Sequence, residues 1–172
     1  MRKEIERIIQ EGGVGIFPTD TLYGLVGSAL NPKAVRRVYK LRKRNPKKPL
    51  IVLISSERDL SLFQVKPSAP VKQIIQKLWP GPISIILPCN EKKFKHLHRG
   101  TKTLAFRVPK DATLRRFLKR TGPLVAPSAN PEGKRPAVTI AQAKRYFGNK
   151  IDFYKGSGKL DNPPSTIIEI KR

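Results

Sequence analysis

Val14-Gly15-Ile16-Phe17-Pro18-Thr19-Asp20-Thr21-Leu22-Tyr23-Gly24-Leu25 sets a short apolar run directly against a cluster of small polar side chains. The run reads as a buried strand that ends at Pro18. Hydroxyls, a carboxylate, a phenol and a glycine then follow in a loop whose backbone can approach a ligand closely. The competing reading is a tight turn in which Asp20 and the threonines satisfy their own backbone. Two features favour a pocket. More apolar chain follows the loop instead of a solvated tip, and similar polar clusters recur after later strands.

Outward from this stretch, helix and strand signals alternate, the pattern of an α/β or α+β domain. Residues 2–11 predict an amphipathic helix with Ile5, Ile8 and Ile9 on one face, closed by Gly12-Gly13. Asn31-Pro32 is a cap followed by Pro in the first turn, opening a helix to about Leu41. Helices are also expected after Ser56, after Pro70 as far as Trp79-Pro80, over 111–120 and over 140–147, the last capped by Thr139. Strands are expected at 49–54, 83–87, 103–108, 123–126, 151–154 and 166–170, with a basic irregular connection over 91–100. The sum is a single domain with a twisted mixed sheet, flanking helices and loops converging on one concave site.

The chain has 172 residues, enough for one core that buries roughly 70% of the unfolded surface. Its apolar runs are too short to cross a bilayer, and the charged N-terminus has no signal-peptide pattern, so a cytoplasmic location is expected. A lone Cys89 permits no internal disulfide, and no Cys/His group has zinc spacing, so no metal site is expected. Charge is the extreme feature: 36 Lys and Arg against 12 Asp and Glu give +24. That imbalance calls for a polyanionic partner or substrate, with nucleic acid the first candidate.

Several further clusters can carry chemistry. Ser128-Ala129-Asn130 follows an apolar strand, and in an extended chain its hydroxyl and amide point the same way, ready to donate to one anion. Arg42, Arg44 and Lys48 precede the strand at Pro49, and alternate guanidinium forks suit phosphate or carboxylate. Arg107 stands among apolar neighbours on the face of Ala105 and Thr103 and requires an anion, either an internal carboxylate or a ligand. With acidic residues scarce, a ligand is the expectation. Ser165 precedes the last strand. Neither a P-loop nor a dinucleotide fingerprint is present, and His96 and His98 read as solvated residues of the basic connection. Without a nucleophile and base pair, catalysis here would rest on positioning and charge neutralisation.

In order along the chain, Pro18 to Leu25, the basic motif before Pro49-Leu50-Ile51-Val52, Trp79-Pro80-Gly81-Pro82, Arg107-Val108-Pro109, Ser128-Ala129-Asn130 and Ser165-Thr166-Ile167-Ile168 resemble the YrdC/TsaC family. These are the threonylcarbamoyl-adenylate synthases, here in the short single-domain form. The resemblance implies a YrdC-like fold with a large basic cavity. It implies a nucleotidyl transfer in which L-threonine, bicarbonate and ATP give threonylcarbamoyl-AMP and pyrophosphate, with Mg2+ held mainly by the triphosphate. The adenylate would then pass to a downstream complex for threonylcarbamoyladenosine modification of tRNA. By motif, Thr21, Tyr23, Arg107, Ser128 and Ser165 would line the threonine site, while Arg42, Arg44, Lys48, Thr103, Asn130 and Thr139 would hold ATP.

This sequence departs from the family pattern in three places. Arg42 stands where relatives usually carry Lys, and Thr139 lies one residue farther from Ser128 than in many of them. The sequence ends at Arg172, where relatives usually continue to a further nucleotide-binding Arg, so another basic residue must substitute or ATP binding must weaken; the length also implies no C-terminal extra domain. The alternative function is a non-catalytic tRNA or double-stranded RNA binder on the same fold.

Overall fold

The computed structural model describes residues 2–170. The first element is helix α1 (Arg2–Gln10), which buries Ile5 and Ile9. Strand β1 (Val14–Pro18) and β2 (Tyr23–Ser28) then form an antiparallel hairpin, so the polar loop is only residues 19–22 and Tyr23 already belongs to a strand. This second strand is absent from the sequence reading, because two glycines and a neighbouring polar cluster mask its apolar alternation. Helix α2 (Pro32–Arg42) begins as expected, with Asn31 Oδ1 accepting from the Lys33 and Ala34 amides, and ends where Lys43 turns left-handed at φ 49°.

Strand β3 (Ile51–Leu53), a 3₁₀ turn over Glu57–Phe63, α3 (Ala69–Leu78) and β4 (Ile83–Pro88) follow. Residues 92–98 are not an irregular connection. A 3₁₀ turn (Lys92–Phe94) and α4 (Lys95–His98) bury Phe94, Leu97 and His98. His98 is buried, its Nδ1 accepting from the Gly100 amide, and is not solvated; His96 stays partly exposed, with Nε2 2.9 Å from Ala29 O. Strand β5 (Thr103–Arg107), α5 (Ala112–Thr121), β6 (Leu124–Val125), α6 (Ile140–Phe147), β7 (Phe153–Tyr154) and β8 (Thr166–Glu169) complete the chain.

The eight strands form one mixed sheet in the order β7-β1-β2-β6-β3-β5-β4-β8. Gly15 is what lets β7 join: a Cβ there would lie 2.5 Å from the Phe153 ring that faces it. Period-two alternation divides the sheet's two faces. Val52, Phe106, Ile85 and Leu87 enter the main core with α2, α3 and α6. Leu53, Val26, Leu124 and Phe17 face the other way, toward α1 and α5. Phe17 stacks on Phe117 with ring centroids 4.3 Å apart and holds α5 on this side. Each buried aliphatic or aromatic side chain of α5 contributes about 1.5–3 kcal/mol relative to exposure.

Over β3, β5, β4 and β8 this second face remains open. The register Ile51↔Ala105, Leu53↔Arg107 and Ile86↔Ala105 puts alternate residues of these strands on one surface, with Ile167 beyond them. That surface is the floor of a cavity of about 480 Å³. Among the described residues, no helix is long and apolar enough to cross a membrane.

Candidate active site

The hairpin loop builds the first wall. Thr19 Oγ1 accepts from the Thr21 and Leu22 amides at 3.2 Å and donates to Leu22 O at 2.6 Å, so Thr19 does serve its own turn. Asp20 does not. One of its oxygens accepts from Arg107 Nη2 and the other from the Lys110 amide at 2.8 Å. Arg107 is 4% exposed, donates Nε to Gly81 O at 3.2 Å and Nη1 to Thr21 Oγ1 at 3.3 Å, and lines the cavity. The anion expected from a ligand is therefore an internal carboxylate. Asp20 braces the guanidinium, which keeps two N–H groups beyond those three bonds.

Ser128 lies across from Gly24 because the chain after β6 continues along β2, with Leu25 N donating to Pro127 O at 2.9 Å and Ala129 N to Tyr23 O at 2.8 Å. Gly24 needs no unusual backbone. A Cβ there would meet Val26, Ala126 and Thr19 carbons at 3.4–3.5 Å, ordinary contacts on the cavity side of the strand. Ser128 and Asn130 do not donate together to one anion. Ser128 Oγ donates to Asn130 Oδ1 at 2.7 Å, and the Asn130 amide is spent on Pro131 O and Lys134 O. Asn130 is buried, and the chain between the two residues bends at Ala129 instead of staying extended, with the Asn130 backbone amide donating to Ser128 O at 2.9 Å.

The end of α2 supplies the opposite wall. Arg42 and Arg44 sit on a helix terminus and the turn after it, not on an extended segment, yet both line the cavity. Arg42 is 5% exposed, with Nε donating to Asn130 O at 2.7 Å and Nη2 reaching Ser128 Oγ at 3.4 Å. It has no ion pair among the described residues. Burial, and then the nearby Arg44 charge, lower its pKa to about 10, with Glu132 acting weakly the other way. Arg44 donates to Pro49 O at 3.0 Å. Lys48 points away from the cavity, 3.3 Å from Glu132 Oε1.

The structure thus brings Thr21, Tyr23, Arg42, Arg44, Thr103, Arg107, Ser128 and Ser165 to one cavity. The Tyr23 hydroxyl is already taken by Gly158 O and the Ser157 amide, each at 2.7 Å. Thr139 lies outside the lining and caps α6, its hydroxyl accepting from the Gln142 amide at 3.3 Å. Sequence reasoning missed Thr101, which neighbours Thr103 Oγ1 at 3.3 Å, and Ser84, 3.2 Å from Ser165 Oγ. Alternation from Arg107 back through Ala105 and Thr103 to Thr101 was the available signal. For Ser84 it was a serine inside an apolar strand. No Asp or Glu lines the cavity among the described residues.

The family described as telomere recombination, Sua5/YciO/YrdC, matches residues 7–172. A threonylcarbamoyl-AMP synthase of Halorhodospira halophila is 34% identical over 84% of this chain and 76% of its own length. One from Marinobacter nauticus is 34% identical over 92% of this chain and 85% of its own. The crystal structure of P. abyssi Sua5 complexed with L-threonine superposes with a TM-score of 0.89 at 28% identity, over 98% of this chain, which spans half of that one. Architecture, motif order and sequence likeness agree, and the chain belongs to the Sua5/YciO/YrdC family.

Proposed function

We propose that this chain is a threonylcarbamoyl-AMP synthase, a nucleotidyltransferase acting in tRNA modification. The observation that carries the reading is the presence, in one cavity, of Arg107 braced by Asp20 and of a buried Arg42 that forms no ion pair among the described residues. Support comes from the synthases it resembles and from the neighbour whose crystals hold L-threonine.

In this reading the threonine carboxylate lies against the free N–H groups of Arg107, with Thr21, Ser128 and Ser165 around the rest of the amino acid. Tyr23 is a support whose hydroxyl fixes the backbone at 157–158. The amine adds to CO2 derived from bicarbonate and loses a proton, giving a carbamate. A carbamate oxygen then attacks the α-phosphorus of ATP, the bond to the bridging oxygen breaks, and pyrophosphate leaves. Arg42 and Arg44 neutralise the phosphates, with Thr103 beside them, so the rate comes from alignment and fixed positive charge. Lys48, Asn130 and Thr139 support the walls of that end. Mg2+ enters as part of the nucleotide substrate, carried by its phosphates, since the cavity wall offers cations and hydroxyls. A cytoplasmic setting and transfer of the adenylate to a tRNA-modifying complex belong to the same reading.

The net charge of +24 favours a second property, binding of tRNA or double-stranded RNA, either beside catalysis or in its place. Affinity for RNA would then fall roughly a thousandfold between low and moderate salt if about six phosphates are engaged. The deciding assay is pyrophosphate release from ATP. Release that needs both threonine and bicarbonate supports the synthase; a folded, magnesium-replete sample that binds RNA and releases none leaves only the RNA-binding reading.

A further inference from the structure

Residues 40–48 carry Lys40, Arg42, Lys43, Arg44, Lys47 and Lys48 with no acidic residue among them. Such a run repels itself, and left alone it would spread into solvent. Instead it is pinned to the segment that follows Ser128. The Glu132 amide donates to Arg42 O at 2.7 Å and so takes one of the carbonyls left open at the end of α2. The Glu132 carboxylate reaches back over the turn. Oε2 accepts from the Asn45 amide at 2.7 Å, and Oε1 lies 3.3 Å from Lys48 Nζ. Arg42 Nε returns the connection to Asn130 O at 2.7 Å. The hydrogen bond from the Asn45 amide holds the Glu132 carboxyl below the ordinary range, against the opposing pull of burial, and Lys48 adds to it.

Glu132 touches neither wall of the cavity lining, yet both arginines of the α2 end depend on the segments it joins. We propose that Glu132 is a positioning residue: by tying the 43–48 turn to the segment after Ser128, it aims Arg42 and Arg44 into the cavity. The inference rests on the reading of that end as the nucleotide end and adds to it the residue that sets the end's geometry. Of its two contacts, the one to the Asn45 backbone amide carries the effect, because the Lys48 side chain is longer, freer and more exposed.

The test compares the wild-type chain with Glu132→Ala and Glu132→Gln. ATP and threonine affinities are measured by calorimetry, KM and kcat by pyrophosphate release, and folding by thermal unfolding. Glu132→Ala is expected to weaken ATP binding and raise its KM about tenfold, since loss of aim by a fraction of an ångström is costly at a site that works by alignment. Threonine affinity and kcat should stay within about twofold. Glu132→Gln keeps a carbonyl oxygen for the Asn45 amide and should recover most of the ATP affinity. The proposal is overturned if Glu132→Ala leaves ATP affinity within about twofold of wild type. It is equally overturned if ATP and threonine weaken together, or if Gln is as poor as Ala. A wild-type chain that binds no ATP removes the nucleotide reading itself, and this result is distinct from the others.

Discussion

Two walls of the cavity hold arginines of nearly equal burial and opposite electrostatic circumstance. Arg107, between β5 and the hairpin loop, is 4% exposed and paired with Asp20; Arg42, at the end of α2, is 5% exposed and, among the described residues, donates to a carbonyl and a hydroxyl and forms no ion pair. A buried cation with its own carboxylate is fixed in place and has little need of a ligand to neutralise it. A buried cation without one stays costly until an anion arrives. In the proposed reading, the hairpin side takes the zwitterion, recognised by shape and a few directed N–H groups, and the α2 side the polyphosphate, recognised by charge.

The largest effect is expected at Arg107. Arg107→Ala strands the Asp20 carboxylate and should destabilise the fold by about 3–5 kcal/mol in chemical denaturation, whereas Asp20→Ala/Arg107→Ala together should cost clearly less than the two singles summed. Arg42→Met strands no opposite charge. Relief of a desolvated cation offsets the loss of a partner for Asn130 O, so its stability should stay within about 1 kcal/mol of wild type. Its ATP affinity should nonetheless fall about tenfold or more, the worth of a charge-assisted contact.

Alkaline titration sharpens the same contrast. With its pKa lowered to about 10 in the fold, below the ordinary guanidinium value, Arg42 gives up its proton in the folded chain first. Between these values its contribution to stability therefore rises with pH while the anion binding it supports declines. ATP affinity of the wild type, followed by calorimetry above pH 10, should approach that of Arg42→Met. The smallest effect is expected at Gly24. Gly24→Ala meets only ordinary contacts and should change stability by less than about 1 kcal/mol, but Gly24→Leu should fill the cavity and weaken both ligands.

Legibility in the sequence follows interaction range. The helix at α2 was readable because Asn31-Pro32 acts within one turn, and α6 because Thr139 and Gly148 bracket it. Alternation alone placed Arg107 on the face of Ala105 and Thr103. Strand β2 was hidden by its glycines, whose meaning depends on which strands come to lie beside them. The Asp20–Arg107 pair spans 87 residues and depends on the direction in which a two-strand hairpin points its turn, which no local pattern encodes. The Ser128–Asn130 bond was missed for a smaller reason: the chain bends at Ala129, and the two side chains turn toward each other.

The division of the cavity is tested most directly by measuring threonine and ATP binding, each alone, to the wild type, Asp20→Asn and Arg42→Met. Asp20→Asn is expected to lose threonine affinity and keep ATP, while Arg42→Met is expected to lose ATP and keep threonine. Loss of both ligands together in either variant, with the fold intact by thermal unfolding, would contradict it.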